Sequence, residues 1–328
     1  MLSHVERLKR CLSGESVDRI PVALWRHFPV DDNHPDSLAR AVVAFQETYD
    51  FDFVKITPSS SFCVKDWGAR DQWQGNPEGS CAYVEHPVKR HEDWQKIKPL
   101  NPNKGYLADQ LEAIRLIKKG LPEGTPYIQT IFNPLSQAKN LVGKENLTVQ
   151  LRQSPEFVIK ALDAITETTI EFIRAAIQIG IDGIFFAVQH AQANLLSPAE
   201  YDEFGIPFDL EILKEVKDLW LNVAHLHGKD VYFGKISQYP VDVINWHDLE
   251  TPPDLHTGKL LFPGAVCGGL RQWETLVYGT PEKVTEEANQ AMELAGSERF
   301  ILGTGCVLPI TAPHTNIMAA RMAVERQS

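Results

Sequence analysis

The chain is short of apolar runs: no stretch approaches the roughly eighteen consecutive apolar residues of a membrane span. Residues 1–10 are polar and amphipathic, without the apolar core of a signal peptide. Cysteine is scarce, five in 328 residues, an odd number with no CxxC pair. A disulfide framework is disfavoured, and a reducing cytoplasm is the expected compartment. Positive charge is outweighed, with 32 Lys and Arg against 43 Asp and Glu, a net charge of −11. A nucleic-acid binder normally shows the opposite sign or a basic stripe, so neither nucleic acid nor membrane is an expected partner. No GxGxxG or GxxxxGK frames a phosphate, and no GxSxG marks a serine nucleophile. Fixed-period repeats, low-complexity tracts and a domain linker are also missing, so residues 1–328 are expected to form one domain.

What is present is an alternation. Short apolar or β-branched runs lie at 21–28, 51–57, 127–132, 183–189, 222–227, 243–247, 261–267 and 300–306. Such runs suit parallel strands covered on both faces. Helical patterns separate them, with Ser-Pro or Thr-Pro starts opening helices at 154–179, 198–220 and 281–294. Eight strands alternating with helices predict an α/β chain folded as a (β/α)8 TIM barrel. A doubly wound open sheet would alternate in a similar way. The stretch 58–104 is rich in Gly, Pro, Ser, Trp and Asp and lacks long periodicity. It predicts a long insertion after strand two, on the face where a barrel keeps its active site.

Reactive side chains gather where these strands end. Gln189 and His190 close the fourth, His225 and His227 the fifth, Trp246, His247 and Asp248 the sixth, and Cys306 the eighth. In a barrel such positions converge on one mouth despite their distance in sequence. His225 and His227, two apart on a strand, point to the same face and can reach one ion, with Cys306 as a third ligand across the mouth. Two structural histidines and a small buried cysteine would read the same way. His247 beside Asp248 offers an acid–base pair, and Asp248 as a cap of the next helix is the alternative. Arg26 and His27 on the first strand suit an anionic substrate, Arg26 through bidentate pairing, although they would equally serve as surface charges. Lys55, Gln189, His190 and Trp246 complete the expected substrate contacts.

At these residues the chain resembles the uroporphyrinogen decarboxylase superfamily. The resemblance runs nearly end to end, through Asp18-Arg19-Ile20-Pro21-Val22, Asp52-Phe53-Val54-Lys55-Ile56 and Gly180-Ile181-Asp182-Gly183-Ile184. Its most specific piece is the run 300–309, FILGTGCVLP, followed by Thr311, Pro313 and Asn316. The resemblance implies a (β/α)8 barrel and either of two activities: cofactor-free porphyrinogen decarboxylation, or zinc-dependent methyl transfer involving corrinoid proteins or thiols. The decarboxylases carry an Arg-Gln-Ala-Gly-Arg type segment after the first strand, where this chain has Trp25-Arg26-His27-Phe28-Pro29, and a histidine in place of Cys306. The methyltransferases are nearer, with His-x-Cys after strand five where His225 and His227 stand here. On that branch the resemblance implies Zn2+ on His225, His227 and Cys306, and a corrinoid carried by a separate protein. It further implies a small-molecule methyl donor or acceptor with an oxygen or thiol. One thiolate and two neutral imidazoles would leave the zinc site a net charge near +1, a stronger Lewis acid than a two-thiolate centre. A decarboxylase acting through Arg26, His247 and Asp248 is the alternative activity. A non-catalytic ligand-binding barrel is a further one, and a homodimer is left open.

Overall fold

The parity of side chains along the strands sets the architecture. A computed structural model describes residues 1–325. Its strands are β1 (Val54–Ile56), β2 (Arg70–Gln72), β3 (Ala82–Glu85), β4 (Tyr127–Phe132), β5 (Gly183–Val188), β6 (Val223–Leu226), β7 (Val243–Trp246), β8 (Ala265–Leu270) and β9 (Phe300–Thr304). Seven of them pair in parallel in the order β1-β4-β5-β6-β7-β8-β9, and helices return between successive members. Alternate residues of this curled sheet pack on one another inside it: Phe53, Ile128, Phe185, Val223, Val243, Ala265, Cys267 and Ile301. The intervening residues, among them Ile184, Phe186, Leu226, Ile244, Trp246 and Leu302, face the helical layer.

The run 21–28 does not form a strand. It makes two isolated parallel bridges, Val22 with Leu302 and Arg26 with Leu308. Pro21 has no N–H to give, yet the run still joins the two edges of the sheet. Leu302 N–H donates to the Pro21 carbonyl at 2.9 Å, and Asp52 N–H to the Val22 carbonyl at 2.9 Å. The run 261–267 is also displaced. Asp254 caps a helix at Leu255–Leu261, and the strand starts only at Ala265. A short apolar run does not by itself separate helix from strand. The helix expected over 198–220 is two, Pro198–Phe204 and Ile206–Glu215, because Pro207 has no N–H to continue the ladder to residue 203. The helix Pro155–Ile179 stands where its Ser-Pro start predicts and ends on Gly180 with φ +107°.

Between β1 and the helix Gly105–Gly120, residues 58–104 hold the antiparallel pair β2–β3 and two short 3-10 segments, Lys65–Trp67 and His91–Lys96. Lys65 ties this stretch together, donating to Asp71 at 3.1 Å and to Asn33 at 3.0 Å. No helix among the described residues is long and apolar enough to cross a membrane.

Candidate metal centre

The register of β6, β7 and β9 brings distant residues to one point. His225 lies opposite Asn245 across β6–β7, with both side chains on the inner face. Asn245 is fully buried, and its amide donates to the carbonyls of Cys267 and Thr304, both at 2.9 Å. Both of its N–H groups are therefore committed, so its Oδ1 accepts from His225 Nδ1 at 2.7 Å. That bond fixes the tautomer and turns the free lone pair of His225 Nε2 toward Cys306. His225 Nε2 lies 3.6 Å from Cys306 Sγ, and His227 Nδ1 lies 3.7 Å from the same sulfur. Gly305 makes this approach feasible, since a Cβ there would meet the His247 Cα at 2.7 Å.

His247 is the fourth member. Its ring stands 6.1 Å from that of His225 and 5.4 Å from that of His227, and its buried Nε2 has no hydrogen-bond partner. One ligand atom from each of His225, His227, His247 and Cys306 falls within 4.8 Å of all the others. Burial, then the neighbouring rings of His227 and His247, holds His225 well below the ordinary imidazole range. Burial and His247 bring His227 down to about 4, and burial lowers His247 against the pull of Glu250. All three imidazoles are thus neutral at pH 7, the state a metal requires. Burial pushes the Cys306 thiol up to about 11, more than the Lys55 ammonium nearby pulls it down. A bound divalent ion would reverse that and hold the thiolate. Three neutral nitrogens and one sulfur, with an orphaned ring nitrogen among them, fit zinc.

These groups open into a cavity of about 300 Å³. His27, Lys55, Gln189, His225, His227 and Cys306 line it, as do Pro58, Ser60, Glu78, Ser80, Cys81 and Tyr83 from residues 58–104. Phe185 forms part of its wall, stacked 5.2 Å from His225 and carrying the Lys55 ammonium 4.6 Å from its centroid. Burial lowers Lys55 to about 7 and His27 to about 3.

Other expected site residues lie elsewhere. Arg26 is outside the cavity lining, on the outer side with Phe28 and Phe45, because it is one residue out of phase with Trp25 and His27. Trp246 is out of phase with Asn245 in the same way; it packs on Phe233 and donates to the Pro253 carbonyl at 2.8 Å. Asp248 is buried against β8 and accepts from Gly269 N–H at 3.1 Å, with burial raising it to about 7. His190 is buried behind the cavity lining, and its Nδ1 has no partner. Sequence reasoning passed over Asn245, although a fully buried amide between Ile244 and Trp246 in an apolar strand is itself a signal. It also passed over Lys139 and Glu78, which carry no motif.

The uroporphyrinogen decarboxylase (URO-D) family model matches residues 3–327. A methylcobamide:CoM methyltransferase, MtbA, of Methanosarcina acetivorans is 22% identical over 327 residues, covering 95% of this chain and 94% of that protein. A uroporphyrinogen decarboxylase of Nocardia farcinica is 27% identical over 246 residues, covering 70% of this chain and 67% of that protein. Among solved structures, a methyltransferase from Methanosarcina mazei superposes with a TM-score of 0.85 at 20% identity, covering 98% of both chains.

Proposed function

This chain belongs to the uroporphyrinogen decarboxylase family, and we propose that it is a methyltransferase that moves a methyl group between a small oxygen or thiol substrate and a corrinoid carried on a separate protein. In this reading residues 1–328 form one (β/α)8 domain in the cytoplasm, with 58–104 as a long insertion over the cavity. His225, His227 and Cys306 would hold a zinc ion, and His247 would stand beside them as a fourth nitrogen donor. The observation that carries the reading is the convergence of these four ligand atoms within 4.8 Å at the end of the cavity. The relatives named as methyltransferases over nearly the whole chain support it.

Zinc bound there supplies a Lewis acid that stabilises negative charge on the substrate's oxygen or sulfur. The protein does the rest. Asn245 aims the His225 ring, and Phe185 stacks on it and keeps water from one side. Lys55 lies close enough to Cys306 to favour its thiolate. Gln189 and His27 line the substrate's space. The decarboxylase alternative needs cations for several carboxylates, and no arginine lines the cavity among the described residues.

Protein purified without a histidine tag is expected to carry one zinc per chain by elemental analysis and to transfer methyl from methylcobalamin to a thiol. Cys306→Ala is expected to lose both while keeping its circular dichroism. Full zinc in Cys306→Ala would remove that residue from the ligand set. Robust turnover of uroporphyrinogen by the wild type would favour the decarboxylase instead.

A further inference from the structure

The methyl-transfer reading gives a role to the metal end of the cavity but leaves a second buried pair of titratable groups in its wall unexplained. His27 is 8% exposed, and its Nδ1 is wholly buried with no hydrogen-bond partner. Asp32 is equally buried, and its Oδ2 lies 4.0 Å from that nitrogen. Among the described residues, one side chain bonds to the Asp32 carboxyl: the Asn33 amide donates to Oδ1 at 3.4 Å. With Nδ1 shut in, Nε2 is the nitrogen that His27 offers to the cavity it lines. Lys65 faces Asp32 but is already paired with Asp71 at 3.1 Å. Asp71 and Asp31 also bear on the carboxyl, and Cys81 feels it. His34, Tyr106 and Asp109 border the crevice beside it. Lys55 and the Pro58 carbonyl stand by the imidazole.

The chain is bent to bring these two groups together. Asp32 N–H donates to the Phe28 carbonyl at 2.8 Å, and the turn holds Val30 at φ +73° and ψ −50°. A β-branched residue in that region costs roughly 1–3 kcal/mol and persists only where its surroundings fix it. His27 is fixed from the other side as well. A Cβ on Gly79 would meet the His27 Cβ at 2.6 Å, and Ile310 N–H holds the same turn through the Pro77 carbonyl at 2.8 Å. At 4.0 Å the pair stands just beyond hydrogen-bond length, a separation of the kind that closes when a substrate seats in a catalytic site. Burial, against the pull of Lys65, raises Asp32 to about 7, while burial and Lys55 keep the His27 ring neutral, at about 3. A neutral imidazole takes its tautomer from the group its inner nitrogen faces. A protonated Asp32 selects the Nε2–H form, and an ionised one selects Nδ1–H.

We propose that His27 and Asp32 form a proton relay for the substrate: Nε2 gives a proton to the reacting oxygen, or takes one from the reacting sulfur, and Nδ1 makes the opposite exchange with the buried carboxyl. The identity of the reacting atom rests on the methyl-transfer reading; the pair itself does not. When a methyl ether is cleaved, the C–O electron pair stays on the oxygen as the methyl group leaves for the corrinoid, so the oxygen needs one proton. It takes the Nε2 proton, and the Asp32 proton passes to Nδ1. The imidazole is neutral before and after, the negative charge ends on Asp32, and solvent returns the proton. With a thiol acceptor the flow reverses: the S–H proton goes to Nε2 and the Nδ1 proton to the carboxylate. His27 is the catalytic residue of the pair and Asp32 the positioning one. The cavity, at about 300 Å³, is at the small end of ligand sites, so a compact substrate at the histidine cluster is also within reach of His27.

Nitrogen NMR of protein carrying isotope-labelled histidine tests the pair, with the His27 signals identified by their loss in His27→Gln. In the wild type the ring is expected to stay neutral while its proton moves from Nε2 to Nδ1 as pH rises through about 7. Asp32→Asn is expected to hold one tautomer throughout. A wild-type tautomer that ignores pH, or one that shifts equally in Asp32→Asn, would overturn the relay. The wild-type shift alone decides if the Asn variant fails to fold. Methyl transfer from methylcobalamin to mercaptoethanol tests the role. His27→Gln is expected to lower kcat about a hundredfold with KM and zinc content unchanged. Asp32→Asn is expected to erase the step in kcat near pH 7. Full kcat in zinc-loaded His27→Gln would overturn the relay and leave methyl transfer standing. Zinc-loaded wild type that shows the tautomer shift but transfers no methyl group would overturn the methyl-transfer reading and leave the pair standing.

Discussion

A single amide decides how the His225 imidazole is aimed into the cluster of three histidines and Cys306. Asn245 spends both N–H groups on the carbonyls of Cys267 and Thr304, which leaves its oxygen to hold His225 Nδ1–H. Outer partners of this kind fix the tautomer and raise ligand basicity, and losing one typically costs ten- to a hundredfold in metal affinity. Asn245→Ala is therefore expected to weaken zinc binding by about that factor, read by competition with a chromogenic chelator, while Cys306 and both histidines remain. Unchanged affinity would show that the imidazole is aimed by Phe185 stacking alone. At this scale the sequence is a partial guide. The spacing of His225 and His227 on one strand face, and Cys306 at another strand end, mark three of the four clustered side chains directly. His247 reads as an acid–base residue because its neighbour Asp248 suggests a pair, yet the chain turns after Trp246 and separates them: His247 goes to the cluster and Asp248 to β8. Arg26 and Trp246 fall on the outer face by parity, which a strand-end position alone does not reveal.

At the scale of elements, the sheet closes only where backbones approach more tightly than a side chain permits. A Cβ on Gly183 would lie 1.8 Å from the Leu221 carbonyl oxygen, backbone that cannot rotate away. Gly183→Ala must therefore push β5 from the chain entering β6, moving the strand that carries Phe185 and the one that carries His225. Such overpacking of an interior typically costs 1–3 kcal/mol, and this contact is closer than most. The expected loss is about 3 kcal/mol in urea unfolding, with weaker zinc uptake because the histidine strand shifts. Gly234→Ala is the control: a Cβ there meets nothing within 4 Å, so a change within about 0.5 kcal/mol is expected. An equal loss in both variants would place the cost in helix or turn propensity rather than in strand contact. The interior strands were legible as mostly apolar runs, broken by few polar residues such as Gln129, His225 and Asn245, since both their faces are covered. The run 21–28 was not, because its sparse pairing depends on which neighbours the curled sheet brings to it. The fold of 58–104 was not either, since its hairpin is held by Lys65 reaching Asp71 and Asn33, contacts that no local pattern encodes.

Across the whole molecule, the face opposite the cavity is fastened by charge. Asp52 is fully buried at the start of β1, where Arg7 of the helix His4–Ser13 donates to it at 2.8 Å and Arg19 at 2.7 Å. Val22 N–H adds a bond at 2.8 Å, and His4 Nδ1 lies 3.1 Å away. One carboxylate thus joins the first helix, the run that bridges the sheet edges, and β1. Burial by itself would raise Asp52, but His4, Arg19 and the Val22 N–H outweigh it and hold the carboxyl down at about 2. An unfolded aspartate titrates near 3.9. A folded value below the unfolded one means the carboxylate's contribution is complete above about pH 4 and is lost as pH falls through about 2. Linkage puts that contribution on the order of 2 kcal/mol. Unfolding free energy measured by urea denaturation is therefore expected to drop between pH 4 and pH 2 more steeply in the wild type than in Asp52→Asn. The variant is also expected to be on the order of 2–3 kcal/mol less stable at pH 7, because Arg7 and Arg19 lose the buried anion they share and keep only Asp18 and Glu325 at its edge. Parallel pH profiles for the two proteins would assign the acid loss to other carboxylates, and an Asp52→Asn protein as stable as wild type at pH 7 would show that the two arginines find water or other acceptors without it.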